Sequence, residues 1–161
     1  MKELNGTHIV QKFGNEFPEY SPYIMRIVIS NVETLSKHRH GCCVLQKFLN
    51  AKERFPKQKL VLRLAELSPK LVVDQFGNYV IQSVLKLNNK DVCNQIVDQM
   101  LPDITNLSKH KYSSNVVEKC FDYGDERAIK KLINARSRGF GKRSIQTITA
   151  VHVIRGKVDA V

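Results

Sequence analysis

The sequence predicts an all-α fold, a solenoid of stacked helical units, and three observations carry that prediction. Four short segments restate one pattern: Asn5-Gly6-Thr7-His8-Ile9-Val10-Gln11, Gly41-Cys42-Cys43-Val44-Leu45-Gln46, Gly77-Asn78-Tyr79-Val80-Ile81-Gln82 and Ser113-Ser114-Asn115-Val116-Val117-Glu118. Their last residues, Gln11, Gln46, Gln82 and Glu118, step by 35, 36 and 36. A period of this size belongs to units that cannot bury an apolar face alone and must stack on neighbours. The stretches between the segments carry helical apolar spacing, and strand alternation is scarce throughout.

The elements follow in order along the chain. Ser21-Pro22 predicts a helix start, because proline fits the first helical position and serine can accept from the amides above it. Tyr23-Ile24-Met25-Arg26-Ile27-Val28 continues that helix, and Leu35-Ser36-Lys37-His38 leads into the motif helix that ends near Gln46. The cycle then repeats. Leu60-Val61-Leu62-Arg63-Leu64-Ala65 is a return helix, Ser68-Pro69 a new start and Leu71-Val72-Val73-Asp74 the next lead-in. After the third motif, Asp91 starts the helix containing Val92-Cys93-Asn94-Gln95-Ile96-Val97, Leu101-Pro102 starts another, and Leu107-Ser108-Lys109-His110 leads into the last motif. Asp125 opens a final return helix through Ala128-Ile129-Lys130-Lys131-Leu132-Ile133.

On a wheel at about 100° per residue, Asn78, Gln82, Tyr79 and Ser83 fall on one side, and Val80, Ile81, Val84 and Leu85 on the other. One face is expected to pack and the opposite face to stay free.

This organisation gives an array over residues 1–134, with a truncated first repeat at about 1–20 and full repeats at about 21–56, 57–92 and 93–134. Residues 135–161 read as a divergent basic extension or degenerate repeat. Val151-His152-Val153-Ile154-Arg155 sits where a fifth motif is due but has none of its polar residues.

Composition narrows the function. A net charge of +11 and a pI near 9.6 point to a polyanionic partner, since Lys and Arg beside phosphates release condensed counterions. The tail from 135 holds six basic residues and one acidic residue, a large share of that excess. No apolar run is long enough to span a bilayer, and Met1-Lys2-Glu3-Leu4-Asn5-Gly6 lacks the apolar core of a signal peptide. An intracellular, cytoplasmic protein with no membrane partner is the expectation. Cys42, Cys43, Cys93 and Cys120 form no CxxC and have no paired-His spacing, so neither a disulfide framework, a metal site nor any cofactor is expected.

The chemistry lies in the repeated face. Thr7/Gln11, Cys42/Gln46, Asn78/Gln82 and Ser114/Glu118 are each four residues apart, so the two side chains stack one turn apart on a helix and suit one planar edge rich in donors and acceptors. A nucleobase is such an edge. His8, Cys43, Tyr79 and Asn115 project beside the pairs, and an aromatic ring there is worth about 1–3 kcal/mol as a stacking platform. Lys12, Lys47 and Lys119 follow the motifs and are candidate phosphate contacts, a series that Ser83 interrupts.

The period, the Gly-Asn-Tyr-Val-Ile-Gln and Ser-Asn-Val-Val-Glu-Lys strings, and the flanking Asp74-Gln75-Phe76 and His110-Lys111-Tyr112 resemble Pumilio (PUF) repeats over about residues 4–134. The resemblance implies a right-handed superhelical crescent of three-helix repeats whose concave face binds single-stranded RNA, one base per repeat. Carried over residue by residue, it implies that Asn78 and Gln82 with stacking Tyr79 take uracil, that Ser114 and Glu118 with Asn115 take guanine, and that Cys42 and Gln46 take adenine. Thr7 and Gln11 with His8 depart from the usual uracil pair, so the base there is left open. Cys43 stands where the family often has Arg or Tyr. Family members bind RNA antiparallel, so the set reads 5′-G-U-A-N-3′, the inside of a UGUA core.

The implied role is binding to messenger 3′ untranslated regions in post-transcriptional regulation, as a monomer, with deadenylation or repressor proteins as partners. Two alternatives stand beside it: a helical scaffold for a peptide, and a PUF-like protein of ribosome biogenesis that holds nucleic acid without sequence preference. Catalysis is not expected, because no nucleophile triad, nucleotide loop or paired carboxylate occurs.

Overall fold

The computed structural model describes residues 21–50 and 57–137. Every regular element among the described residues is helical: α1 (Ser21–Ser30), α2 (Val32–Ser36), α3 (Arg39–Asn50), α4 (Gln58–Glu66), α5 (Ser68–Leu71), α6 (Gly77–Leu85), α7 (Lys90–Met100), a 3-10 turn at Leu101–Asp103, α8 (Ile104–Leu107), α9 (Ser113–Tyr123) and α10 (Glu126–Ser137).

These helices sort into two rows. The motif helices α3, α6 and α9 lie side by side with α6 between the other two, and the return helices α1, α4, α7 and α10 pack each against the next. The short helices tie the rows together: α2 rests on α3 and α4, α5 on α6 and α7, and α8 on α9 and α10. The expected helical solenoid is therefore the fold. Its core runs continuously between the rows through fully buried Leu45, Leu49, Leu60, Leu64, Leu71, Ile81, Leu85, Ile96, Met100, Ile129 and Leu132. Each such side chain contributes about 1.5–3 kcal/mol over its exposed state.

Local chemistry sets where the motif helices begin. Gly41 and Gly77 enter α3 and α6 so close to the preceding lead-in that a Cβ would stand 2.3 Å from the Leu35 carbonyl oxygen or 2.8 Å from that of Leu71. In α9 Ser113 fills this position, and its Oγ donates to the matching Leu107 carbonyl at 2.7 Å. The same close approach is thus made once with a hydroxyl and twice with no side chain at all.

The helix starts differ from the expectation in part. Asp125 does cap α10, its Oδ1 accepting from the Ala128 amide at 2.8 Å. Asp91 lies in the first turn of α7, and the cap is Asn89, which accepts from the Val92 amide at 3.2 Å. Ser68 makes no cap: it is fully buried, and its Oγ lies 3.1 Å from the side-chain amide of Gln99 on α7. The helix predicted at Leu101-Pro102 opens as a 3-10 turn before α8. Between α6 and α7 the chain turns through Asn88 at φ 57°, a left-handed conformation that asparagine tolerates better than most residues.

The position between residues 92 and 93 falls inside α7, and α10 runs to Ser137. The truncated first repeat and residues 138–161 lie outside the described residues.

Contacts between repeats are polar as well as apolar. Asn94 Nδ2 donates to Asp125 Oδ2 at 2.9 Å, Lys90 Nζ donates to the Tyr123 carbonyl at 3.0 Å, and Lys131 pairs with Asp98. No helix among the described residues is long and apolar enough to cross a membrane.

Candidate nucleic-acid interface

The site is built from one position on each of three adjacent helices. Gln46 on α3 and Gln82 on α6 are half-buried and Glu118 on α9 is exposed, so none is sequestered in the core. Cys43, Tyr79 and Asn115, the predicted stacking residues, are all exposed, with Tyr79 open over 52% of its surface. The candidate reading positions and the candidate stacking positions are thus all at least partly open to solvent on neighbouring helices.

The first member of each pair behaves differently. Cys42 is only 4% exposed and Asn78 only 1%, while Ser114 is half-buried. Ser83, placed by the wheel on the free side, is also buried and donates to the Tyr79 carbonyl at 2.9 Å. A wheel drawn for one packing partner underestimates burial here, because α6 is flanked on both sides by motif helices and backed by α5 and the return row. The open stripe narrows to Tyr79 and Gln82.

Asn78 is held from below. Its Nδ2 donates to the carbonyls of Asp74 at 2.8 Å and Gln75 at 3.0 Å, and its Oδ1 accepts from Gln82 Nε2 at 3.0 Å. Cys42 makes the corresponding bond with its thiol, which donates to the Arg39 carbonyl at 3.2 Å. Burial pushes that thiol up to about 11, so it is a neutral donor at physiological pH.

Cys93 is likewise pushed up to about 11 by burial, and Cys120, fully enclosed, is raised well above the ordinary thiol range for the same reason. All four cysteines are free thiols, and Cys43 alone is exposed. The described residues contain no group of three or more His, Cys, Asp or Glu side chains able to hold a metal ion.

Of the candidate phosphate contacts, Lys47 is exposed on α3. Lys119 is engaged: its Nζ lies 2.8 Å from Asp122 Oδ2, and that hydrogen bond raises its pKa. A phosphate would have to compete with a carboxylate there. Thr7, His8, Gln11 and Lys12 lie outside the described residues.

One recurrent feature went unread in the sequence. Asp74 Oδ1 accepts from the amides of Phe76 and Gly77, both at 2.8 Å, and His38 Nδ1 faces the amides of His40 and Gly41, both at 3.3 Å. His110 Nδ1 repeats this with Tyr112 at 3.3 Å and Ser113 at 3.5 Å. Each side chain closes the turn that launches a motif helix. The signal is present in the sequence, since His38, Asp74 and His110 recur at the motif period.

The Pumilio-family RNA binding repeat model matches residues 31–51, 70–101 and 103–135. Pumilio homolog 12 of Arabidopsis thaliana is 40% identical over 139 residues, covering 83% of this chain and 23% of its own length. A Pumilio domain-containing protein of Schizosaccharomyces pombe is 38% identical over 134 residues, again 83% of this chain and 20% of its own. The chain therefore spans about a fifth to a quarter of the length of these relatives.

Among solved structures, the Puf3 RNA binding domain bound to a Cox17 RNA 3′ UTR recognition sequence aligns with 34% identity and TM-score 0.66, covering 81% of this chain and 39% of that one. The yeast Puf5p RNA-binding domain bound to SMX2 RNA aligns with 32% identity and TM-score 0.67, covering 81% and 40%. With three matched repeats whose motif helices stand in register, the chain belongs to the Pumilio family.

Proposed function

We propose that this chain binds single-stranded RNA with sequence preference, one base to each repeat, and so takes part in post-transcriptional control of messenger RNA. The observation that carries the reading is the alignment of Gln46, Gln82 and Glu118 at one position of three adjacent helices, each with an exposed neighbour at the stacking position. On this reading Glu118 accepts from the ring and exocyclic N–H groups of guanine, Gln82 with Tyr79 takes uracil, and Gln46 takes adenine, giving 5′-G-U-A. The net charge of +11 supports a salt-dependent component from the phosphates. The RNA-bound states of the Puf3 and Puf5p domains support the same role.

A cytoplasmic location, action as a monomer without catalysis, and recruitment of deadenylation or repressor proteins belong to this proposal. Fluorescence anisotropy of the chain with a UGUA RNA, a UCUA control and a salt series tests it. Tighter binding to UGUA is expected at every salt concentration. Equal affinity for both RNAs would replace the reading with charge-driven binding, and no affinity at low salt would leave the peptide scaffold.

A further inference from the structure

Lys119, the cation that follows the last motif, is already held by Asp122 at 2.8 Å. Other cations of the stack are held in the same way: Lys37 and Lys70 share Glu33, Arg63 pairs with Glu66, and Lys131 pairs with Asp98. Two cations at the launching ends of the motif helices stand apart. Arg39 and Lys111 are exposed, and neither has a carboxylate partner among the described residues. The Lys111 ammonium lies over the Tyr112 ring, 5.3 Å from its centroid.

Their positions correspond. Arg39, Gln75 and Lys111 recur at steps of 36 residues, each four before a stacking position and seven before a reading position: Cys43 and Gln46, Tyr79 and Gln82, Asn115 and Glu118. Residues at i, i+4 and i+7 of a helix share one stripe. The first of these steps is direct in α3, where the Arg39 carbonyl accepts from the Cys43 thiol at 3.6 Å. Lys47 and Lys119, one residue beyond each reader, lie about 100° round the helix from it.

From Gln46 back to Arg39 is about 10 Å of helix, at about 1.5 Å per residue. A base that sets its edge on the reader and its ring beside the stacking residue lies along that stripe. Its ribose and phosphate then continue towards the turn that launches the helix, where the positive end of the helix dipole also lies.

We propose that Arg39 and Lys111 bind phosphates of the RNA strand, one turn ahead of the stacking positions of α3 and α9, and that Gln75 leaves a neutral gap between them at α6. The inference rests on the RNA reading above. It moves the backbone contact from Lys47 and Lys119 to the launching end of the motif helices.

The test is a set of anisotropy titrations of the 161-residue chain with UGUA and UCUA RNAs across a salt series. Each phosphate neutralised on a single strand contributes about 0.7 to the slope of log affinity against log salt concentration. Arg39→Gln and Lys111→Gln should each lower that slope by about 0.7 and weaken both RNAs by the same factor, so that the UGUA preference is kept. Arg39→Lys should restore the slope, Gln75→Lys should raise it by about 0.7, and Lys119→Gln should leave it unchanged. An uncharged methylphosphonate, placed in turn at each linkage flanking the A read at α3, gives an independent readout. At one of these linkages it should weaken binding to the unmodified chain and have no effect on Arg39→Gln.

Unchanged slopes in both glutamine variants overturn the proposal. So does a slope that falls in Lys119→Gln instead, or a UGUA preference lost in Arg39→Gln, which would make that side chain a base contact. Equal affinity of the unmodified chain for the two RNAs overturns the sequence reading alone, since the slopes decide the phosphate contacts independently. No affinity for either RNA overturns both.

Discussion

Tyr79 and Glu118 carry the most direct tests at the scale of single residues. The Tyr79 ring is 52% exposed and packs little, so Tyr79→Ala should leave thermal stability nearly unchanged while weakening UGUA binding by about 1–3 kcal/mol in anisotropy titrations. A matching loss of melting temperature would mean that the ring serves packing. Replacing Ser114 by Asn and Glu118 by Gln together should move the base preferred at α9 from G to U, measured with GUA and UUA RNAs. At this scale the repeated register disclosed that Gln46, Gln82 and Glu118, with neighbouring Cys43, Tyr79 and Asn115, stay out of the core, whereas Cys42, the first member of its pair, proves buried. It did not disclose that Asn78 and Ser83 are buried, since a helical wheel records the angle of a side chain but not how many neighbours surround the helix.

Helix by helix, the turns that launch α3, α6 and α9 are where small changes should cost most. Asp74→Ala removes the acceptor for two amides and should destabilise the protein by about 1 kcal/mol in urea unfolding. Gly77→Ala should cost about 1–3 kcal/mol, because its Cβ meets the backbone oxygen of Leu71 at 2.8 Å and backbone does not yield as a side-chain tip would. The α10 cap predicts an acid limb. Hydrogen bonds from the Ala128 amide and then Asn94 hold the Asp125 carboxyl below the ordinary aspartate range. Its contribution is therefore complete above the unfolded-state pKa and drains away as the pH falls through the lower folded value. Unfolding midpoints of Asp125→Asn measured from pH 6 to pH 2 should show a shallower acid decline than those of the unmodified chain. The existence of these helices was legible from periodicity. Their caps were less so, because Asn89 and Asp91 are equally good candidates by type and only the backbone conformation separates them.

At the largest scale, the described residues form a one-dimensional stack, and its stability should be a sum over repeats and the interfaces between them. The α6 helix has motif helices on both flanks, so Ile81→Ala should weaken two interfaces at once, by about 2–5 kcal/mol in total, and native-state hydrogen exchange should show faster opening in α3 and α9 together. The stack as such was plain in the sequence because the period is nearly constant. The contacts that hold one repeat to the next were not, since Ser68–Gln99, Asn94–Asp125 and Lys131–Asp98 join residues with no local pattern to pair them. The distribution of thiols has a practical corollary. Cys42, Cys93 and Cys120 are enclosed and Cys43 alone meets solvent, so a maleimide dye should attach once to the native chain and at all four cysteines after denaturation. That single label would sit on the outward row itself, a fluorescent reporter of occupancy that requires no engineered cysteine.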